Sequence, residues 1–263
     1  MKYEILHLKD YFPALGENGC DATVTAYLAD NLTEMGRDHA LRPCLVICPG
    51  GGYQYCSERE SDPAAFPYLA AGYQVFVLEY SVKEHSRWPQ PLEDYEQAVE
   101  LIKSRAEEWE VDTSRIAVIG FSAGGHLAAA AATMARNRPA ACILGYPVIT
   151  EKTARVYCPT APGIPENVDE KTCPCFIFSS RTDGTVPIND TVRLIDALTK
   201  HDIPYECHIY AFANHGFSTC ESSVQNRSWI CTRTPGWVRD SIEWLKDTIG
   251  DFNGGILGSR QNW

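Results

Sequence analysis

The run RIAVIGFSAGGHLAAAAATMA, residues 115–135, constrains the chain more than any other. After Arg115 the segment RIAVIG has no polar alternation, which is the pattern of a parallel strand covered on both faces. Glycines then interrupt it, and HLAAAAATMA (126–135) reads as a helix whose small side chains permit close packing on a sheet. Such a strand needs helices above and below it, which argues for an α/β architecture.

The same alternation recurs along the chain. CLVIC (44–48), YQVFVLEY (73–80), CILGYPV (142–148), CFIFSS (175–180) and ECHIYAF (206–212) read as strands. In PLEDYEQAVELIKSRAEEWE (91–110), Leu92, Tyr95, Val99, Ile102, Ala106 and Trp109 are spaced 3, 4, 3, 4, 3, one face of an amphipathic helix. TVRLIDALTKH (191–201) and WVRDSIEWLKDTI (237–249) read as helices too. The expected fold is a mostly parallel central sheet with helices on both faces. The stretch from Thr150 to Thr172 shows no strong pattern and is too short for a lid, so no large cap domain is expected. The predicted organisation is one domain over residues 1–250 and a loose tail over 251–263.

Charge and cysteine usage narrow the function classes. Lys plus Arg number 23 against 34 Asp plus Glu, a formal net charge of -11, with the acidic residues scattered. Without a basic cluster, a nucleic-acid partner is not expected. The N-terminal MKYEILHLKDYFPALGENG lacks the layout of a secretory signal, and no apolar run is long enough to cross a membrane. Eleven cysteines without such a signal are expected to be reduced thiols in a cytoplasmic protein. Cys173-Pro-Cys175 is C-x-C rather than C-x-x-C and has no second close pair, so no metal or cofactor is expected.

G-x-S-x-G carries chemical meaning only where a strand enters it and a helix leaves it, as here. Side chains at Gly120 or Gly124 would collide with neighbouring elements, and the turn aims free helix N–H groups at the site. A nucleophilic Ser122 needs a base. Of the seven histidines, His215 in ANHGF follows the last strand, at the carboxyl end of the sheet where this architecture places its sites. His7, His39, His85, His126, His201 and His208 lie in other strands, loops or helices. The orienting carboxylate is expected at Asp183, just after CFIFSS. Asp190 reads as a helix N-cap, and Glu60 and Asp62 come too early in the chain. The glycine turn Pro49-Gly50-Gly51-Gly52-Tyr53 is the expected oxyanion loop, with the Gly51 and Gly52 N–H groups and that of Ala123 as donors. It lacks a G-K-[ST] ending and the G-x-G-x-x-G spacing of nucleotide loops.

With PGGGY, GFSAGGHLAA, DGTVP and NHGF in this order, the chain resembles the α/β-hydrolase esterases, and most of all the acetyl xylan esterase and xylan esterase/lipase group. The likeness runs from about Cys44 to about Ile249. It implies the α/β-hydrolase fold, serine catalysis without metal, and deacetylation of small sugar esters. Pro49 stands where such esterases often carry a histidine that supports the loop, and Ser179-Ser180-Arg181 stands where relatives often have a histidine before the acid.

The expected reaction is ester hydrolysis through an acyl-enzyme, with Ser122 as nucleophile, His215 as base and Asp183 as its orienter. Tyr53, Tyr55, Trp88, Tyr146 and Trp229 are candidates to stack on a sugar ring. The expected partner is a small-molecule ester, and the sequence does not decide between a monomer and a homo-oligomer. A carboxylesterase for short-chain, non-sugar esters would share every catalytic residue. A non-catalytic binding protein of the same fold would not be expected to keep Ser, Asp and His.

Overall fold

The computed structural model describes residues 1–14, 20–32, 34 and 41–250. The expected tail over 251–263 and His39 lie outside these residues.

Eight strands form one sheet in the order β1-β2-β4-β3-β5-β6-β7-β8. They are β1 (Lys2–His7), β2 (Thr23–Leu28), β3 (Arg42–Cys48), β4 (Gln74–Glu79), β5 (Val111–Phe121), β6 (Ala141–Gly145), β7 (Cys175–Ser180) and β8 (Tyr205–Tyr210). β1 and β2 pair antiparallel, β2 joins β4 antiparallel, and every pairing from β4 to β8 is parallel. Seven helices accompany them among the described residues: α1 (Leu8–Tyr11), α2 (Asp62–Ala70), α3 (Gln90–Ser104), α4 (Ala123–Met134), α5 (Glu151–Tyr157), α6 (Ile188–Lys200) and α7 (Gly236–Ile249).

The buried central strands divide their side chains between two cores with a period of two. Cys44, Val46 and Cys48 of β3 face one core, and Leu45 and Ile47 face the other. Ile116 and Val118 of β5 likewise oppose Ala117, Ile119 and Phe121. The first core is closed by α1, α3, α4 and α6, through residues such as Tyr95, Ile102, Leu127 and Leu198. The second is closed by α2 and α7, where Tyr68, Trp237 and Leu245 seat against the sheet. Trp237 stacks on Phe178 at 4.1 Å between centroids, which locks α7 onto β7.

The predicted strands and long helices are present, with shifted boundaries. α3 ends at Ser104, and Ala106 and Trp109 belong to the turn that follows it. α4 begins at Ala123, three residues before the expected start, because the helix starts directly behind Ser122. The strand-like N-terminal segment that holds His7 is β1, whereas β2, its antiparallel pairing with β1, and the helices α2 and α5 have no counterpart in the sequence-based expectation. Asp190 is not an N-cap. It lies within the first turn of α6, is buried, and accepts hydrogen bonds from the Ile149 N–H at 2.8 Å and the Thr150 N–H at 3.1 Å. It therefore braces the start of α5 from the side. No helix among the described residues is long and apolar enough to cross a membrane.

Candidate active site

The parallel strands β3, β5, β7 and β8 end on one edge of the sheet, and the loop after each contributes to one cleft. Ser122 stands between β5 and α4 with φ 53° and ψ −116°, a conformation that non-glycine residues rarely adopt. Three backbone hydrogen bonds hold it there. Its N–H donates to Gly145 O at 2.9 Å, and its carbonyl accepts from His126 N at 3.0 Å and Val148 N at 3.1 Å. The flanking glycines are steric requirements. A Cβ on Gly120 would sit 2.0 Å from the Gly124 carbonyl oxygen, and one on Gly124 would sit 2.1 Å from that of Cys48.

His215, in the loop after β8, reaches Ser122 Oγ through Nε2 at 2.8 Å and Asp183 Oδ2 through Nδ1 at 2.7 Å. A carboxylate accepts only, so Nδ1 carries the proton and the neutral ring leaves Nε2 free to accept from the serine hydroxyl. The Thr185 and Val186 N–H groups donate to Asp183 Oδ1 at 2.8 and 2.9 Å, fixing the carboxylate by its other oxygen. Ser122 and the side chain of Asp183 are almost fully buried, whereas the His215 side chain is somewhat more accessible. The arrangement has the geometry required for proton removal from a serine by an oriented imidazole.

The glycine loop after β3 faces Ser122. Gly51 and Gly52 both have positive φ, and neither they nor Ala123 donates an N–H to a protein acceptor among the described residues. A Cβ on Gly51 would meet the Tyr55 carbonyl oxygen at 1.9 Å, so the tight turn excludes any side chain there. Pro49 offers no side-chain support, but two other groups hold the loop. Tyr80 Oη donates to Pro49 O at 2.7 Å, and Gly50 N donates to Glu60 Oε2 at 2.8 Å.

These elements enclose a cleft of about 300 Å³, lined by Gly51, Gly52, Gln54, Tyr55, Ser57, Arg59, Glu60, Ser122, Tyr157, Thr185, His215 and Gly216. A larger depression of about 570 Å³ beside Phe212 and Arg233 contains none of Ser122, Asp183 or His215. Size alone therefore does not mark the site.

Of the five aromatic candidates for stacking, only Tyr55 lines the cleft. Tyr53 and Tyr146 are fully buried and cannot stack on a ligand. Tyr53 donates its hydroxyl to His126 Nδ1 at 2.7 Å, while His126 Nε2–H donates to the Pro162 carbonyl at 2.9 Å. Burial pushes the His126 imidazole down to about 4, so it stays neutral in this hydrogen-bonded buttress behind the loop. Trp88 packs edgewise on the His126 ring, 5.3 Å between centroids, and does not line the cleft. Trp229 is half-exposed and lies next to Cys220, away from the cleft.

Sequence reasoning missed several wall residues, among them Gln54, Ser57, Arg59 and Thr185, and two of the others stand out. Tyr157, at the end of α5, packs against Gly52, and burial followed by the nearby Asp183 charge pushes its phenol up. Glu60, set aside as too early in the chain, lies inside the cleft wall. Its position follows from the short 3-10 turn Glu58–Glu60, which folds the segment back under the glycine loop. No local pattern announces that turn. Among the described residues no group of three or more His, Cys, Asp or Glu is gathered as metal ligands would be, and all eleven cysteines are thiols.

The molecule's kinship agrees with this geometry. An α/β-hydrolase enzyme from a Medee basin deep-sea metagenome, MGS-M1, is 37% identical, with 94% of this chain and 98% of that one covered at a TM-score of 0.84. The chain belongs to the α/β-hydrolase family. Residues 32–141 match the BD-FAE family model, and residues 163–231 match that of the prolyl oligopeptidase family. An acetylxylan esterase of Xylanibacter ruminicola is 29% identical over 195 residues, 66% of this chain and 40% of that protein. An acetyl ester-xyloside bifunctional hydrolase of Caldicellulosiruptor lactoaceticus is 25% identical, with 97% of each chain covered at a TM-score of 0.80. The chain spans about two-fifths or less of the length of the curated relatives it matches.

Proposed function

We propose that this α/β hydrolase is a serine esterase that removes acetyl groups from small carbohydrates through an acyl-enzyme. The observation that carries the reading is the Ser122–His215–Asp183 hydrogen-bond chain, 2.8 and 2.7 Å, opening onto the cleft beside the glycine loop. In this mechanism His215 Nε2 takes the proton of Ser122 as Oγ attacks the ester carbonyl. Asp183 holds the imidazole in the tautomer that can accept it and stabilises the imidazolium. The Gly51, Gly52 and Ala123 N–H groups receive the oxyanion, each contributing on the order of 3 kcal/mol in comparable enzymes. His215 then protonates the leaving alcohol, and a water activated by the same imidazole releases the acid.

Two features favour a short acyl group on a polar alcohol. The cleft is small, about 300 Å³, and its wall offers Gln54, Ser57, Arg59 and Thr185 as hydrogen-bonding groups for hydroxyl-rich substrates. The acetylxylan esterase and acetyl ester-xyloside hydrolase among its relatives point to the same substrate class. The test is acetate release from acetylated xylo-oligosaccharides by wild type and Ser122→Ala. Release by wild type and a loss of at least about 10³-fold in the variant is the expected result. Undiminished release by the variant refutes Ser122 as nucleophile. Turnover of longer acyl esters in preference to acetate would reassign the chain to general short-chain carboxylesterases.

A further inference from the structure

Glu60 is an almost fully buried carboxylate inside the cleft wall, and the reaction described above does not use it. Its two oxygens are spent on two different loops. Oε2 accepts from the Gly50 N–H at 2.8 Å, at the root of the glycine loop. Oε1 accepts from Tyr146 Oη at 2.6 Å. That same phenol oxygen accepts from Ser218 N–H at 3.0 Å, in the loop that carries His215. The Ser218 hydroxyl in turn donates to the Arg59 carbonyl, and the Tyr146 ring packs against the His215 ring with centroids 5.1 Å apart. A continuous path of hydrogen bonds therefore runs from the oxyanion loop, through Glu60 and Tyr146, to the base loop.

We propose that Glu60 is a positioning residue that couples the oxyanion loop to the His215 loop and whose charge favours the imidazolium formed during acyl transfer. The inference rests on the Ser122–His215–Asp183 reading. Glu60 takes over the loop support that Pro49 cannot give. The ionisable groups around it are His215, Arg59, Tyr146, Tyr80 and Cys56. Burial pushes the Tyr146 and Tyr80 phenols and the Cys56 thiol up and keeps them neutral. Asp183 sits on the far side of the imidazole, on Nδ1. Arg59 is thus the standing cation that Glu60 faces, and Glu60 adds a second negative charge on the side of His215 once the imidazolium forms. Burial raises the pKa of the Glu60 carboxyl above the ordinary glutamate value, while the Tyr146 and Gly50 donors and Arg59 oppose that shift.

Two variants separate the coupling from the charge. Glu60→Gln removes the charge and, because an amide nitrogen cannot accept, one of the two acceptors as well. It should lower kcat about 10–100-fold with little change in KM, the scale of a small misplacement of reacting groups. The acid limb of its kcat/KM profile should move to lower pH by about one unit, because the protonated base loses a favourable neighbour. Tyr146→Phe cuts the path but keeps the charge, so kcat should fall at least several-fold with the limb in place. Wild-type kcat in folded Glu60→Gln, or a limb that stays put, overturns the proposal. Should Glu60→Gln fail to fold, Tyr146→Phe decides alone, since wild-type kcat there removes the coupling. Persistent turnover by Ser122→Ala in the same assay would instead sink the triad reading, so the two failures are distinguishable.

Discussion

Replacing Gly124 by alanine isolates what the elbow's second glycine contributes. The position is helical, so alanine suits the backbone and should stabilise the helix by about 1 kcal/mol on propensity alone. Space is the difficulty. The added Cβ would lie 2.1 Å from the Cys48 carbonyl oxygen and 2.3 Å from that of Pro49. A relaxed carbon–oxygen contact is about 3.3 Å, so something must move by about 1 Å. Both obstructing atoms are backbone, at the point where β3 becomes the glycine loop, and no flexible side chain can yield instead. Either the first turn of α4 recedes or the oxyanion loop does, and Ser122 and the Gly51 and Gly52 donors separate in both cases. A misplacement of that size costs about 10²-fold in rate, or about 2.7 kcal/mol of barrier. Overpacking should also take about 1–3 kcal/mol from stability. The assay is kcat and KM on p-nitrophenyl acetate beside urea unfolding. The control is Gly184→Ala, where an added Cβ meets nothing within 4 Å although the neighbouring residue is Asp183. Gly124→Ala with wild-type kcat would refute the argument that this glycine sets the distance between nucleophile and donors.

Two further outcomes follow from the hydrogen bonds. Asp183→Asn should lower kcat about 10⁴-fold with little change in KM, since an amide can donate to Nδ1 and stabilise the wrong tautomer; a loss under 10-fold would remove Asp183 as the orienting group. The His126 imidazole, with its folded value depressed to about 4 against a reference of 6.5, is neutral in the buttress. The unfolded chain takes up that proton first as pH falls, so this contribution is complete above about 6.5 and is lost between about 6.5 and 4. It amounts to about 2.5 kcal/mol between pH 7.5 and 4.5, and urea unfolding of His126→Gln should show a correspondingly weaker pH dependence than wild type. Equal pH dependence in the two proteins would count against a neutral buried His126.

The residues legible in the sequence are those whose role is set by strand ends. β3, β5, β7 and β8 are recognisable from short apolar runs, and parallel pairing puts their carboxyl ends on one edge. Ser122, Asp183 and His215 each follow such an end, so chain order alone brought them together. The pairing of β1 with β2 is not legible because β1 is largely exposed and carries too little apolar periodicity to show which face it buries. α2 was hidden by its composition: DPAAFPYLA holds two prolines and lacks a polar stripe.

Chain order excludes less than it selects. Glu60 comes too early to be the acid that follows the nucleophile in this fold, and Nδ1 of His215 indeed meets Asp183. Chain order says nothing about carboxylates that serve the site from the other side. Likewise, the sequence offers Tyr53 and Tyr146 as candidates to stack on a sugar ring, yet both turn inward and spend their hydroxyls on His126 and Glu60. In each case the deciding quantity is which way a side chain leaves a loop. Here that direction is imposed by unusual backbone: positive φ at Tyr53 and Tyr146, and a 3-10 turn ahead of α2. Residues other than glycine adopt positive φ only where surrounding contacts repay the strain. The hydroxyl partners of Tyr53 and Tyr146 supply those contacts from segments 73 and 86 positions away in the chain, so no local window could have revealed them.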